Sequence, residues 1–192
     1  MTEYHLNVPK DNDRVGEVRA GDVLYLTGEI AVARDQAHKK LLETFVPEVV
    51  GLPIFHCGPI ARKSGDGWKI VAGGPTTSTR MDGLTPPILE KYKTKIIIGK
   101  GGLGEVGKKG LANSTAVYSE FTGGASALAV SKIVRVKKRL LEELGPTELV
   151  WLWEVKDFGP LLVTQDHQGN DLKKIVTTQA SSKLDVIVKT YA

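Results

Sequence analysis

The sequence predicts an α/β fold: one domain over residues 1–192, with a mixed sheet flanked by helices. Three observations carry this. Runs rich in β-branched and aromatic residues alternate with stretches of helical periodicity. The loops that follow the predicted strands are glycine-rich or basic. At 192 residues, with 41% hydrophobic and 25% charged side chains, the chain is long enough and apolar enough for one buried core.

Taken in order, Gly21 to Ala33 (GDVLYLTGEIAVA) reads as strand structure running toward Arg34. Asp35 then caps a helix from Gln36 to about Val46, with Ala37, Leu41, Leu42 and Phe45 on one face, stopped by Pro47 and Gly51. Short strands at Pro53–Phe55 and Trp68–Ala72 are separated by the turn Ser64-Gly65-Asp66-Gly67. Thr85 followed by Pro86 starts a short helix that leads to a buried strand at Lys95–Ile98. Ala116–Tyr118 is a further strand, followed by a long helix from about Ala125 to Leu144. Strands at Glu148–Val155 and Leu161–Thr164 and a turn at Gly169-Asn170 come next. The tail fits either a last strand at Val186–Val188 or a docking segment.

In the long helix, the stripe Leu128, Val134, Leu140, Leu141, Leu144 faces the core, and Lys132, Arg135, Lys137, Lys138 and Arg139 form a solvated face. No aromatic residues interleave with these cations to stack bases, so no nucleic-acid partner is expected. Overall charge says little: 26 basic against 22 acidic side chains is a mild excess. A single cysteine, Cys57, excludes an intramolecular disulfide and leaves this chain unable to ligate an iron–sulfur cluster by itself. The opening residues show no signal-peptide pattern and no run approaches the roughly 20 apolar residues of a membrane span, so a cytoplasmic protein with no membrane contact is expected.

Two loops carry chemistry. Gly73 to Asp82 reads GGPTTSTRMD: the glycines free the backbone to aim successive N–H groups at one point, and Thr76, Thr77, Ser78 and Thr79 add neutral donors beside the Arg80 guanidinium. That suits an oxyanion, although a solvated Thr/Ser loop has the same composition. Gly99-Lys100-Gly101-Gly102-Leu103-Gly104 satisfies G-x-G-x-x-G directly after a strand, with Glu120 near the distance of a ribose-binding acid. Gly107, Gly110 and Lys108-Lys109 give the following segment poor helical periodicity, which counts against an NAD-binding oxidoreductase. A tight turn that brings amides and the Lys100 ammonium to one point serves a carboxylate equally well. In an α/β sheet, loops at the same strand ends converge, so Arg34, Arg80 and Lys100 are expected to meet around one ligand, and two carboxylates need about that many cations.

The strings TGEIAVARDQAHKK, VAGGPTTSTRMD, IIIGKGGLG, FTGGASALAV and LWEVKDFGPLLVTQDHQGN resemble, in that order, the β subunit or C-terminal domain of the iron–sulfur hydro-lyases, the class I fumarases and L-tartrate dehydratases. The likeness runs from about Tyr4 to beyond Asp185. It implies a swivelling β/β/α-type domain that closes over an active site shared with an α subunit, which carries a [4Fe–4S] cluster. Fumarate–malate hydration is the first expectation and tartrate dehydration the alternative. By the same resemblance Arg34, Thr77, Arg80 and Lys100 hold the dicarboxylate, and Thr76 places its hydroxyl near the carbon that exchanges a proton. An ordinary Thr hydroxyl is a poor base, so an activating carboxylate or histidine is expected from the α subunit. The assembled pair is open to further dimerisation.

Among the remaining residues, His38 is expected on a helix surface, Cys57 as a small buried residue, and Trp151 and Trp153 in core or interface packing. Gly123-Gly124-Ala125-Ser126 fits either close approach to the ligand or close packing.

Overall fold

The computed structural model describes residues 1–124 and 126–191. Its elements are β1 (Glu3–Val8), β2 (Val23–Val32), α1 (Asp35–Glu43), β3 (Ile54–Phe55), β4 (Ile60–Ser64), β5 (Gly67–Ala72), α2 (Thr85–Tyr92), β6 (Ile96–Gly99), α3 (Glu105–Ser114), β7 (Val117–Glu120), α4 (Ser126–Ser131), β8 (Ile133–Leu140), β9 (Val150–Gln165) and α5 (Leu172–Tyr191). A 3₁₀ segment, Ser78–Leu84, leads straight into α2.

Seven strands form one mixed sheet in the order β1-β2-β3-β6-β7-β9-β8, and β2 also pairs with β9. The path β2, β3, β6, β7, β9 and back to β2 is therefore a closed circuit. Strands β2, β3, β6 and β7 run parallel to one another, and β9 is antiparallel to β2, β7 and β8. Strands β4 and β5 make a separate hairpin closed by the predicted Ser64–Gly67 turn.

Period-two alternation divides the buried side chains between two cores. Ile30, Val32, Phe55, Ile96, Ile98, Val117, Trp151, Trp153 and Phe158 share one cluster. Their neighbours in sequence, Ala31, Ile54, Ile97, Val150 and Leu152, share the other with Ala37 and Leu41 of α1, Ile88 and Leu89 of α2, and Leu111 of α3. Burial on both faces explains the unbroken Ile96-Ile97-Ile98 run, because a central parallel strand has no solvent side to make polar. Trp151 and Trp153 are core residues, the first of the two placements expected for them.

Several expectations are corrected. The long helix predicted over 125–144 is a six-residue helix, α4, followed by strand β8; its predicted start, Ala125, lies outside the described residues. Ile133-Val134-Arg135-Val136 is β-branched at three of four positions, which outweighs the i, i+3/i+4 pattern that suggested a helix. Leu128 and Val134 are exposed rather than core-facing. The basic residues of β8 are solvated but paired: Arg135 lies opposite Glu154 at 2.6 Å, Lys137 pairs with Glu29, Lys138 with Glu48, and Arg139 with Glu142 while lying over the Trp68 ring. The two predicted strands over 148–164 are one 16-residue strand, β9, whose register shifts against β2 absorb Asp157 to Pro160.

The segment after the glycine loop does form a helix, α3. Its glycines are used for close approach: a Cβ on Gly110 would lie 2.9 Å from Pro86 of α2, and one on Gly107 2.6 Å from Asp82. Helix α1 ends at Glu43, and Phe45 beyond it is exposed. Strands β1 and β4 had no expected counterpart, and the tail holding Val186–Val188 is helical.

Candidate active site

Because β2, β3, β6 and β7 are parallel, the loops that leave their C-terminal ends share one rim. Arg34 follows β2, His56 follows β3 and Lys100 follows β6. The Thr76–Arg80 loop is stitched between the last two. Thr76 N donates to His56 O at 2.7 Å, Lys100 N to Thr76 O at 3.3 Å, and Ser78 N to Lys100 O at 2.9 Å. Thr77 and Lys100 form a parallel bridge. All five sequence-predicted site residues, Arg34, Thr76, Thr77, Arg80 and Lys100, are thereby brought to one place.

Asp35 joins the two arginines. Arg80 grips it with Nε at 2.9 Å and an Nη at 2.8 Å, and the same Nη donates to Thr76 Oγ1 at 3.0 Å. Arg34 Nε lies 3.2 Å from Asp35 and 2.9 Å from Glu148. This differs from the predicted cap. The carboxylate of Asp35 serves the arginines, while the first-turn amide of Gln36 is taken by Glu148 Oε2 at 2.9 Å. The Arg80 hydrogen bond holds the Asp35 carboxyl well below the usual carboxylate range, and the same bond raises Arg80 above its ordinary value. The bidentate edge of Arg80 is occupied from within the chain, so the expected fork on a ligand carboxylate is not free. Thr77 Oγ1 and Lys100 Nζ remain uncommitted among the described residues.

Beneath the loop lies a buried polar chain. Gly102 N donates to the Tyr118 hydroxyl at 3.3 Å, Tyr118 donates to Ser78 Oγ at 2.9 Å, and Ser78 Oγ meets His56 Nδ1 at 2.8 Å. Burial pushes the Tyr118 phenol up and His56 well below its ordinary value, so this network is neutral, with the tautomer of His56 setting the direction of its bond to Ser78. His38, expected on the surface, is fully buried; its ring lies edge-on 4.9 Å from His56, and burial lowers it to about 4. On α1 it shares an inward face with Ala37 and Leu41, a neighbourhood the spacing already contained. Sequence reasoning missed Asp35 as a counter-ion, Glu148, His56 and Tyr118. Only Asp35 had a signal, an acid beside the rim arginine.

The dinucleotide reading meets an obstacle in Asp82. Its carboxylate accepts Gly107 N at 2.8 Å and lies 2.7 Å from where a Cβ on Gly104 would be, at the N-terminus of α3 where a pyrophosphate would sit. Leu103 N is taken by Gln165 Oε1 at 2.9 Å, and Glu120 pairs with Lys173 at 2.6 Å. Nor does the chain suit a cluster. Cys57 is 1% exposed with its thiol pushed up to about 12 by burial, and no group of three or more His, Cys, Asp or Glu side chains is placed to hold a metal among the described residues. A Cβ on Gly123 or Gly124 would meet nothing within 4 Å, so close packing does not explain these two glycines.

A sequence model described as "Fumarase C-terminus" matches residues 1–176. The chain belongs to the fumarase C-terminus family. This family member is 38% identical over 170 residues to the L(+)-tartrate dehydratase subunit beta of Escherichia coli K12, covering 87% of this chain and 85% of that one. It is 36% identical over 194 residues to a protein of Methanocaldococcus jannaschii provisionally given the same name, covering 97% and 98%. A Geobacillus stearothermophilus protein provisionally named a class I fumarate hydratase is 34% identical over 181 residues; the match covers 93% of this chain but 35% of that protein. The fumarase C-terminus chain is thus the β-subunit type of a hydro-lyase, and a β subunit implies an α partner. Among its described residues no helix is long and apolar enough to cross a membrane.

Proposed function

We propose that this chain is the dicarboxylate-holding subunit of a two-subunit hydro-lyase that interconverts fumarate and L-malate. The observation that carries the reading is the convergence of Arg34, Arg80, Thr76 and Lys100 at one rim, with Arg80 donating to Thr76 Oγ1 at 3.0 Å. Arg34, Lys100 and Thr77 bind and orient the two carboxylates, because a positioned diacid surrenders its rotational freedom before the chemical step. Thr76 exchanges the proton at carbon. Its hydroxyl receives a charge-assisted hydrogen bond from Arg80, which lowers the cost of its alkoxide, so part of the activation assigned to the α subunit comes from this chain. The [4Fe–4S] cluster belongs to the α subunit, in keeping with the inert, buried Cys57.

Tartrate dehydration to oxaloacetate is the second reading, favoured by the names of the two-subunit relatives. The cations recognise two carboxylates in either case. The test is an anaerobic assay of the chain with its α subunit on fumarate, malate and both tartrate enantiomers. Turnover of fumarate supports the first reading, turnover of tartrate alone supports the second, and no hydro-lyase activity from an intact pair overturns both. Full activity from this chain by itself also refutes the proposal.

A further inference from the structure

We propose that Asp35 is the positioning residue of this site, the shared counter-ion that fixes the guanidinium planes of Arg80 and Arg34 and so aims Arg80 at the Thr76 hydroxyl. This rests on the hydro-lyase reading above for its catalytic consequence. Both oxygens of Asp35 are engaged: Oδ1 accepts Arg80 Nε at 2.9 Å, and Oδ2 accepts an Arg80 Nη at 2.8 Å and Arg34 Nε at 3.2 Å. A guanidinium gripped along one edge loses its freedom to rotate, so its other hydrogens point in set directions. The second hydrogen of the gripping Nη is the one directed at Thr76 Oγ1, 3.0 Å away.

Asp35 is itself held in place. It opens α1, whose Ala37, His38 and Leu41 are buried, and the next amide, that of Gln36, is tied to Glu148. Glu148 Oε1 lies 2.9 Å from the same Arg34 Nε. Gly58 leaves the space that Arg34 fills, since a Cβ there would stand 2.6 Å from Arg34 Nη1. Three cations against two carboxylates leave the rim with a small net positive charge, enough to attract a diacid without the mutual repulsion of three bare cations. An opposite role is conceivable on the same contacts, with Asp35 merely filling the fork until a ligand carboxylate displaces it. The two roles predict opposite signs.

The test uses Asp35→Asn, which keeps shape and an acceptor oxygen but removes the charge. In the assembled enzyme, kcat falls roughly 10- to 100-fold while KM changes far less, as for a misaimed proton-transfer group. Because Asp35 acts through Arg80 on Thr76, Asp35→Asn combined with Thr76→Ala falls no further than Thr76→Ala alone, and Asp35→Glu recovers part of the loss. Unchanged kcat, a lowered KM, or two losses that multiply would overturn the inference. A second readout needs no turnover: in the full chain, the Arg80 Nε–H proton gives a slowly exchanging NMR signal that Asp35→Asn abolishes. Free-arginine exchange in the wild type removes Asp35 from this role and leaves the substrate reading standing. An inactive wild-type pair with a protected Arg80 signal does the reverse.

Discussion

Gly99→Ala is the sharpest test of how the Thr76–Arg80 loop is supported. A Cβ at position 99 would lie 2.0 Å from Ser78 Oγ, 3.1 Å from the Tyr118 hydroxyl and 3.4 Å from His56 Nδ1. The methyl has to displace the hydroxyl that joins Tyr118 and His56, and with it the anchor of the Thr76–Arg80 loop. Overpacking of this kind costs about 1–3 kcal/mol, and each of the two buried polar groups left unpaired about as much again, so a loss of at least about 3 kcal/mol is expected. Ser78→Ala alone leaves the Tyr118 and His56 groups unpaired without a clash, at about 2–6 kcal/mol. In the double variant the new methyl occupies the room vacated by the hydroxyl, so the combined loss stays near that of Ser78→Ala instead of reaching the sum. Urea unfolding of the four chains measures the cycle. Additive losses, or a Gly99→Ala chain within about 0.5 kcal/mol of wild type, would refute the reasoning.

Arg80→Ala should depress kcat of the assembled enzyme by orders of magnitude and raise KM less, since the Thr76 contact is lost together with one rim charge whose fork Asp35 already holds; wild-type kinetics would remove Arg80 from the site. Thr76→Ala should lower kcat more than it raises KM, and an effect confined to KM would assign the hydroxyl to binding. Buried His38 and His56 are held below their ordinary values, so the unfolded chain binds protons that the folded chain does not; stability is present above the ordinary histidine range and is lost as pH drops through it toward the folded values. A urea midpoint unchanged between about pH 7.5 and 5.5 would contradict their burial, and His38→Gln should flatten the profile. NAD should leave the melting temperature of the chain unmoved, and a clear upward shift would revive the dinucleotide reading.

Strands β2 and β6 and the rim they feed were legible because β-branched runs ending in Arg34 and in the glycine turn leave little else for the chain to do. The placement of Arg34 and Lys100 followed from parallel topology, whereas Arg80 comes after the separate β4–β5 hairpin and reaches the rim through the backbone bonds of Thr76 and Ser78 to His56 and Lys100. What escaped was whatever depends on partners distant in sequence. Asp35 looks like a helix cap until Arg80, 45 residues away, claims it. Strand β8 carries a pattern compatible with a helix, and the Arg135–Glu154 register decides it only once β9 is in place. Gly107 and Gly110 weaken an isolated helix, yet permit the approach of Pro86 that makes α3 stable in context. His56 and Tyr118 carried no local mark, since their role exists only where β3, β7 and the loop after β5 meet.

The closed circuit of β2, β3, β6, β7 and β9 has a mechanical result. An open sheet lets an outer strand peel away and take its loop with it, whereas here each of these five strands is paired on both sides somewhere along its length. Amide exchange at Ile97 and Ile98 should therefore require unfolding of the whole chain, and any approach to a partner protein carries the rim along as one rigid piece.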